Sequence, residues 1–387
     1  MIIKPANRTT LVQEYYFSRK LAQIDKMRRE GADVINLGIG SPDQPPSEET
    51  VNALCEEAKK PGSHGYQSYN GSPALRKAFS EWYKKYFRVD LDPENEILAL
   101  MGSKEGIMHI SMAFINPGDE VLVPDPGYPT YSSVTNLVGG KVRTYDLTRE
   151  NNWYPDFDVL ENSDLSKVKL MWVNYPHMPT GTKASPVLFE RLVSFSKKHG
   201  ILLINDNPYS FILNTDYQSI LEIPGSIGTV MELNSLSKSH SMAGWRVGML
   251  AGSSDYLKEV LKVKSNMDSG MFLGLQAAAI KALSNPDSWY VNVNAVYKSR
   301  RVIVEEIMNL LGCEYDRSQS GMFMWSRIPE SITSCEEFIE NILNKVQVFI
   351  TPGFIFGKNG ERYLRISLCA NEKRLAEARD RLKTILN

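Results

Sequence analysis

The sequence predicts an α/β fold, with a large domain built on a mostly parallel sheet and a smaller α+β domain. In the middle of the chain, short apolar runs bounded by Gly, Pro, Asn or Asp alternate with segments of helical periodicity, a pattern typical of strands buried on both faces. The C-terminal part instead carries one long helical pattern followed by separate strands. With 387 residues, 42% of them hydrophobic, the chain is long enough for about two domains.

The predicted elements follow in chain order. An amphipathic segment over residues 15–30 is too short to fold alone, so we expect it to pack on the C-terminal unit. Strands of the large domain are predicted over residues 97–101, 120–123, 168–173, 201–204, 229–233 and 247–251, with helices over 106–115 and 186–199. A long helix is predicted from Asp287 to Gly312, followed by strands over 322–328, 346–350 and 363–368 and a closing helix over 373–386.

The order of these elements predicts the domain organisation. We expect an N-terminal arm and part of the small domain in residues 1–45, the large domain in 46–285 and the small domain in 286–387.

Composition excludes several classes of partner. A formal net charge of −1 argues against a nucleic acid or an anionic membrane surface. No apolar run approaches the ~18 residues of a membrane span, and the first residues lack the apolar core of a signal peptide, so we expect a cytoplasmic protein. The four cysteines lie far apart and the five histidines show no ligand spacing, so we expect neither a disulfide framework nor a metal centre.

The segment over residues 235–248, which reads SLSKSHSMAGWRVG, contains the most informative lysine. Lys238 is flanked by small hydroxyl residues, is followed eight positions later by Arg246, and has no acidic neighbour in the segment. Such a lysine can condense with an aldehyde while the hydroxyls and the guanidinium hold an anion. The alternative is a solvated Ser/Lys loop.

Two further groups of polar residues follow predicted strands, where the ligands of parallel sheets bind. Ser103 and Lys104 open a helix after the strand that ends at Met101, so this helix start is either a phosphate site or an ordinary cap. Asp206 directly follows a buried run. It is either a turn residue or a carboxylate that faces a buried cation, for which a protonated pyridine nitrogen would serve.

Taken together and in this order, these residues resemble the class I/II aminotransferases, pyridoxal 5'-phosphate enzymes of the aspartate aminotransferase fold. The segments NLGIGSPD at residues 36–43 and YLRIS at 363–367 extend the resemblance to nearly the whole chain. The segments EYYF at 14–17 and KSNMDSG at 264–270 are similar to the diaminopimelate-type and broad-specificity branches.

The resemblance implies a role for each matching residue. Lys238 would form the aldimine with the cofactor, Asp206 would keep the pyridine nitrogen protonated, and Tyr209 would bind the phenolic oxygen. Tyr128 would stack on the ring, although packing beside two prolines is an equally good reading of this tyrosine. The cofactor phosphate would lie among Ser103, Lys104, Ser235, Ser237 and Arg246, and Asn174 is a further expected cofactor contact.

The resemblance also implies how substrate and partner subunit bind. Arg365 and the Gly40 backbone would hold the α-carboxylate of the substrate. Tyr66, with Tyr69 as the competing candidate, matches the tyrosine that reaches the phosphate of the neighbouring subunit. We therefore expect a homodimer with shared active sites, and an amino acid and a 2-oxo acid as substrates.

The reaction implied is ping-pong transamination through the Lys238 aldimine. The segment 262–271 contains no arginine that would bind a second carboxylate from the partner subunit, so specific aspartate aminotransferase activity is not predicted. A carbon–sulfur or related lyase is the alternative reaction class, since the same carbanion can expel a leaving group, and a cofactor-binding regulator without turnover is a third reading.

One residue departs from the family pattern. Met178 stands in HMPTG where the family has the asparagine of NPTG, and a methionine cannot donate a hydrogen bond to the phenolic oxygen of the cofactor. We therefore expect the aldimine to titrate at higher pH than in relatives, with Tyr209 and either His177 or Asn174 compensating in part. The alternative for His177 is a packed or solvent-facing loop histidine.

Overall fold

A computed structural model describes residues 3–10 and 16–386. Its helices are α1 (Asn7–Thr10), α2 (Tyr16–Arg29), α3 (Glu48–Ala58), α4 (Pro73–Phe87), α5 (Ser103–Phe114), α6 (Pro129–Leu137), α7 (Phe157–Glu161), α8 (Pro186–His199), α9 (Leu236–Ser239), α10 (Ser254–Lys264), α11 (Leu273–Leu283), α12 (Asp287–Leu310), α13 (Cys335–Val346) and α14 (Glu372–Leu386). Its strands are β1 (Ile35–Asn36), β2 (Ile97–Leu100), β3 (Glu120–Asp125), β4 (Lys141–Asp146), β5 (Val168–Val173), β6 (Leu202–Asp206), β7 (Val230–Ser235), β8 (Gly248–Gly252), β9 (Glu314–Tyr315), β10 (Phe323–Arg327), β11 (Val348–Phe349), β12 (Thr351–Pro352) and β13 (Tyr363–Ser367).

The larger of the sheets has seven strands in the order β2-β8-β7-β6-β5-β3-β4. The five strands from β7 to β4 are parallel, and β8 runs antiparallel to both of its neighbours. The prediction of a mostly parallel sheet is therefore confirmed. Strands β6, β7 and β8 are buried along their whole length, which is why each appears in the sequence as a continuous apolar run.

Helices cover both faces of this sheet. On one face α4 and α8 bury residues such as Phe79 and Leu192 against the sheet. On the other face, α5, α6 and α10 bury residues such as Ile107, Tyr131 and Val260 against the sheet. The ring of Tyr131 stacks on that of Trp172 with centroids 4.9 Å apart. This double layer leaves the carboxyl ends of the parallel strands as the edge where loops converge.

Local signals explain why the helices begin and end where they do. At the start of α8, the Ser185 hydroxyl accepts a hydrogen bond from Leu188 N at 3.1 Å, and Pro186 occupies the first helical position. The helix ends at Gly200, which has a left-handed φ of 66°.

The C-terminal part forms a second unit around the antiparallel sheet β12-β13-β10-β9, on which α12 and α14 pack. Strand β1 pairs in parallel with β11, and Ile24 of α2 packs with Leu343 and Phe349. The expected packing of the N-terminal helix on this unit is confirmed for the described residues; Tyr15, included in the predicted helix, lies outside them. The strand predicted over 346–350 is shorter, because β11 ends at Phe349 and β12 pairs with β13 instead. The predicted domain boundaries stay a prediction.

Candidate active site

A pocket of about 370 Å³ opens between the two units at the carboxyl ends of the parallel strands. It is lined by all but one of the residues predicted for the site: Gly40, Ser103, Lys104, Tyr128, Asn174, Asp206, Tyr209, Ser235, Ser237, Lys238, Arg246 and Arg365. The exception is Tyr66, which is 93% exposed in the single chain. The segments 102–104, 205–209 and 235–246 follow β2, β6 and β7, so the sheet brings together residues far apart in sequence.

Lys238 lies on the short helix α9, directly after β7. Its Nζ donates a hydrogen bond to the Gly40 carbonyl oxygen at 2.6 Å. Burial lowers the pKa of Lys238, and the positive charges of Arg365 and Arg246 act in the same direction. The amine therefore loses its proton more readily than an ordinary lysine, which is what a nucleophile or a base requires.

Asp206 ends β6 with its carboxylate buried. Oδ2 accepts a hydrogen bond from the Tyr131 hydroxyl at 2.9 Å, whereas Oδ1 has no hydrogen-bond partner among the described residues. Burial raises the pKa of Asp206 to about 7, and the Tyr131 hydrogen bond opposes that rise. A buried carboxylate oxygen without a partner is costly, so this atom fits a protonated ring nitrogen that enters the pocket.

The segment after β2 and Arg246 form a cradle of donors. Gly102 has a φ of +85°, and a Cβ at this position would overlap the end of the Arg246 side chain, so a larger residue would strain the backbone and move the guanidinium. The Ser235 hydroxyl donates to Ser237 Oγ at 2.8 Å. Backbone N–H groups at the start of α5, serine hydroxyls and the guanidinium together fit a phosphate group.

Arg365 lies on β13, on the opposite wall of the pocket, and only 4% of it is exposed. Its Nη2 donates to the Gly38 carbonyl oxygen at 2.8 Å, and the guanidinium carbon lies 3.8 Å from the ring centre of Phe323 and 4.6 Å from that of Phe356. A guanidinium held in this way lines the pocket and fits a carboxylate, which it can bind through two parallel hydrogen bonds.

Met178 also lines the pocket and is buried. Its Sδ lies 3.4 Å from Nη1 of Arg365. Asn174 lines the pocket as well, but its Oδ1 accepts from Met178 N at 2.8 Å and its amide donates to the Asp206 carbonyl oxygen. The amide of Asn174 is therefore largely committed to the backbone.

His177 is not among the residues that line the pocket, so its expected compensation for Met178 stays a prediction, whereas the alternative of a packed loop histidine agrees with its burial. Its imidazole is buried, and Nδ1 lies 2.8 Å from Thr180 Oγ1. Burial lowers the pKa of His177 to about 3, so the ring is neutral at physiological pH.

Some residues of the pocket were not expected from the sequence. Tyr131, which binds Asp206, lies 75 positions away from it, and nothing in the sequence pairs them. The apolar wall was also missed because its members occur in ordinary core-like patterns. It consists of Phe17, Leu21, Ile39, Phe323 and Phe356.

No helix in the described part of the chain combines the length and the apolar character needed to cross a membrane.

Comparisons with known proteins agree with this geometry. The sequence profile of the family "Aminotransferase class I and II" matches residues 32–382. The LL-diaminopimelate aminotransferase of Oleidesulfovibrio alaskensis is 40% identical over 98% of both chains, and that of Aquifex aeolicus is 39% identical over 98% of both. The apo structure of BacF from Bacillus subtilis superposes with a TM-score of 0.95 at 33% identity, covering 100% of this chain and 99% of that one.

The fold, the pocket and these similarities agree with one another. The relatives are aminotransferases by name, which favours transamination over the lyase and regulator alternatives. The chain belongs to the class I and II aminotransferase family, on the side of its diaminopimelate branch, and it is a pyridoxal-phosphate-dependent transaminase.

Proposed function

We propose that Lys238 is the residue that holds the cofactor covalently and then moves a proton at the α-carbon of the substrate. The lowered pKa of its amine supports both tasks, since each needs the neutral form. Pyridoxal phosphate, when bound, supplies an electron sink for the charge that develops at the α-carbon. The observation that carries the proposal is that one pocket contains both Lys238 and a buried Asp206 oxygen, Oδ1, that has no hydrogen-bond partner among the described residues.

Asp206 and its neighbours are proposed to fix the cofactor ring. Oδ1 of Asp206 accepts the ring N–H, while Tyr131 holds Oδ2 and sets the direction of the carboxylate. Tyr128 packs against the ring and Tyr209 donates to the phenolic oxygen. The Tyr209 hydroxyl keeps its proton for this purpose, because burial raises its pKa.

We propose that one group of pocket residues binds the phosphate of the cofactor and that another binds the α-carboxylate of the substrate. The phosphate is held by Ser103, Lys104, Ser235, Ser237 and Arg246. The α-carboxylate of the substrate binds Arg365 and the Gly40 backbone, while the contact of Lys238 Nζ with the Gly40 carbonyl belongs to the cofactor-free protein. Both amino acid and 2-oxo acid carry this carboxylate, so one arginine serves both halves of the reaction.

A homodimer is proposed because the phosphate end of the pocket is open in the single chain. Arg246 and Lys104 are exposed there, and Tyr66 is an exposed aromatic side chain on the same molecule. A second copy of the chain that contributes Tyr66 would cover this end and complete the phosphate site. The cytoplasmic location stays a prediction.

LL-diaminopimelate is the first amino donor that we propose, since the relatives named above carry it in their names. A specific observation favours a second candidate class. The wall beyond Arg365 is formed by the apolar side chains of Phe17, Leu21, Ile39, Phe323 and Phe356, which suits an amino acid with a long apolar or aromatic side chain.

A half-reaction screen tests these proposals. The cofactor-loaded protein is mixed with single amino acids, and the absorbance of the bound cofactor is followed for conversion to the amine form. LL-diaminopimelate and phenylalanine distinguish the two donor classes. Lys238→Ala should abolish conversion, whereas the control Lys258→Ala, which changes an exposed lysine of α10, should not affect it. Appreciable turnover by the Lys238→Ala protein would refute the assignment.

A further inference from the structure

A cluster of four charged or titratable side chains lies outside the pocket, between α5 and α10. Nζ of Lys264 lies 2.9 Å from Oδ1 and 2.8 Å from Oδ2 of Asp268, and these side chains are only 3% and 6% exposed. His109 is buried, and its Nε2 lies 3.2 Å from Oε1 of Glu105. A buried ion pair of this kind is expensive to desolvate and is retained where it fixes a geometry.

The cluster contains one ion pair, Lys264–Asp268, beside the buried His109 ring, whose two nitrogens make no hydrogen bond to the described residues. Ligand atoms of Glu105, His109 and Asp268 lie within 4.8 Å of one another, a spacing that a cation could share. The Lys264 ammonium, however, already contacts both carboxylate oxygens of Asp268. The positive charge that Asp268 requires is thus supplied by the chain itself.

One end of this cluster reaches the phosphate cradle. Oε2 of Glu105 accepts a hydrogen bond from Met101 N at 2.8 Å, directly before the segment Gly102–Lys104 that begins α5. The carboxylate therefore fixes where the helix starts and where its first N–H groups point.

The other end of the cluster supports the segment that carries Tyr66. Oδ1 of Asp268 accepts from Gly270 N at 2.8 Å. Gly270 has a φ of +83°, and a Cβ there would overlap the Gln67 carbonyl oxygen, so the loop lies directly against residues 67–68. Tyr66 directly precedes Gln67 and is 93% exposed.

From these contacts we infer that Glu105, His109, Lys264 and Asp268 are positioning residues that hold two phosphate-binding segments in one fixed relation. The first segment is the protomer's own cradle, and the second is Tyr66, which it lends to its partner. The inference rests on the proposed homodimer with shared phosphate sites. Loss of the Lys264–Asp268 charge pair lowers cofactor affinity because Tyr66 no longer sits at a fixed distance from the dimer's phosphate site.

A double-mutant cycle on cofactor affinity tests this inference. The cofactor-free protein is titrated with pyridoxal phosphate, and the dissociation constant is measured for the wild type, Tyr66→Phe, Asp268→Asn and the combination. We expect each single change to weaken binding about tenfold, the effect of losing one hydrogen bond to a charged group. In the combination, Tyr66→Phe should add less than about twofold, because the tyrosine is already displaced.

A second variant covers the case in which Asp268→Asn leaves Lys264 as a lone buried charge and prevents folding. Lys264→Met combined with Asp268→Asn removes both charges and keeps similar volumes, which is tolerated far better. The same cycle with Tyr66→Phe is then measured on that background. Lys262→Met, which removes the exposed pair with Glu259 on the same helix, is the matched control and should leave the dissociation constant unchanged.

The outcomes separate the two proposals. If Tyr66→Phe leaves cofactor affinity unchanged, or the protein sediments as a monomer, the shared site is wrong and the inference falls with it. If Tyr66→Phe weakens binding but its effect is the same on both backgrounds, the shared site stands and the cluster does not act through Tyr66. A cycle that departs from additivity supports the inference, since a general loss of stability would leave the two effects additive.

Discussion

Asp206 carries a carboxylate whose two oxygens have different surroundings. Oδ2 is fixed by Tyr131, and Oδ1 has no hydrogen-bond partner among the described residues. Burial raises its pKa from 3.8 to about 7. Between about pH 4 and 7 the Asp206 carboxyl therefore keeps its proton in the folded cofactor-free protein but has lost it in the unfolded chain. The stability of the folded protein falls as the pH rises through that window. The cofactor would reverse this loss by offering a cation.

Asp206→Asn should separate these two effects. In the cofactor-free protein, the change in stability caused by the substitution should be more favourable at pH 8 than at pH 4, by up to a few kcal/mol. The reason is that the amide carries no charge to bury at either pH. Cofactor affinity should fall, since the amide cannot pair with a ring cation. Urea unfolding at both pH values and a cofactor titration measure this. Asp255→Asn, at a position 94% exposed, is the control; a pH-independent stability difference for Asp206→Asn would contradict the argument.

Met178 is a second residue whose chemistry can be tested alone. Its thioether lies 3.4 Å from Nη1 of Arg365, and it offers no donor to the phenolic oxygen of the cofactor. Met178→Asn should lower the pH at which the absorbance of the bound cofactor changes by about one unit, the equivalent of one hydrogen bond. An absorbance titration measures the shift. Met178→Leu should not produce it, and no downward shift with asparagine would refute the explanation.

At the scale of the element, the start of α5 depends on a glycine for two separate reasons. Gly102 has a positive φ, and its missing side chain makes room for the guanidinium of Arg246. Gly118 also has a positive φ but has no atom within 4 Å of a built Cβ. Alanine substitutions at Gly102 and Gly118 therefore separate the effect of backbone strain from the effect of the overlap with Arg246.

Gly102→Ala should weaken cofactor binding at least tenfold, because the methyl group displaces the guanidinium from the cradle. Gly118→Ala should cost about 1–3 kcal/mol of stability through backbone strain and leave cofactor affinity unchanged. Thermal unfolding and cofactor titration of both variants distinguish the effects. Equal cofactor affinities in the two variants would show that the contact with Arg246 does not matter.

The elements also show what the sequence could predict. The strands β5, β6 and β7 were predicted because their runs are mostly apolar and buried, although β5 contains the exposed Lys169 and β7 the buried Glu232. Strand β4 was not predicted: it lies at the edge of the sheet, and of its residues KVRTYD only Tyr145 is buried. The antiparallel direction of β8 likewise could not be predicted from the sequence, since burial alone carries no information on strand direction.

The same limit applies to the site. Lys238, Asp206 and Arg365 were predicted from local segments because their neighbours form recognisable patterns. Tyr131 was not, because its role arises from a contact with Asp206 across 75 positions.

At the scale of the whole molecule, the carboxyl end of β3 and the turn after it are joined to the C-terminal unit by several hydrogen bonds, two of which reach the Asp125 carboxylate. Asp125 accepts hydrogen bonds from the backbone N–H groups of Lys358 at 3.1 Å and Asn359 at 2.9 Å. The Phe356 carbonyl in turn accepts from Gly127 N at 2.7 Å. The loop so fixed carries the Phe356 ring, which packs against the guanidinium that we assign to the substrate carboxylate.

Asp125→Ala should therefore affect substrate binding more than cofactor binding. Two backbone donors lose their acceptor, which costs about 1–3 kcal/mol of stability, and the freed loop no longer holds Phe356 against Arg365. We expect KM for the amino donor to rise severalfold, with a smaller change in kcat and an unchanged cofactor dissociation constant, because the phosphate cradle lies at the other end of the pocket. Asp146→Ala, which removes only a side-chain contact with Asn359 at an exposed position, should have a lesser effect. A variant that is destabilised but keeps the wild-type KM would show that the two units position Arg365 without this loop.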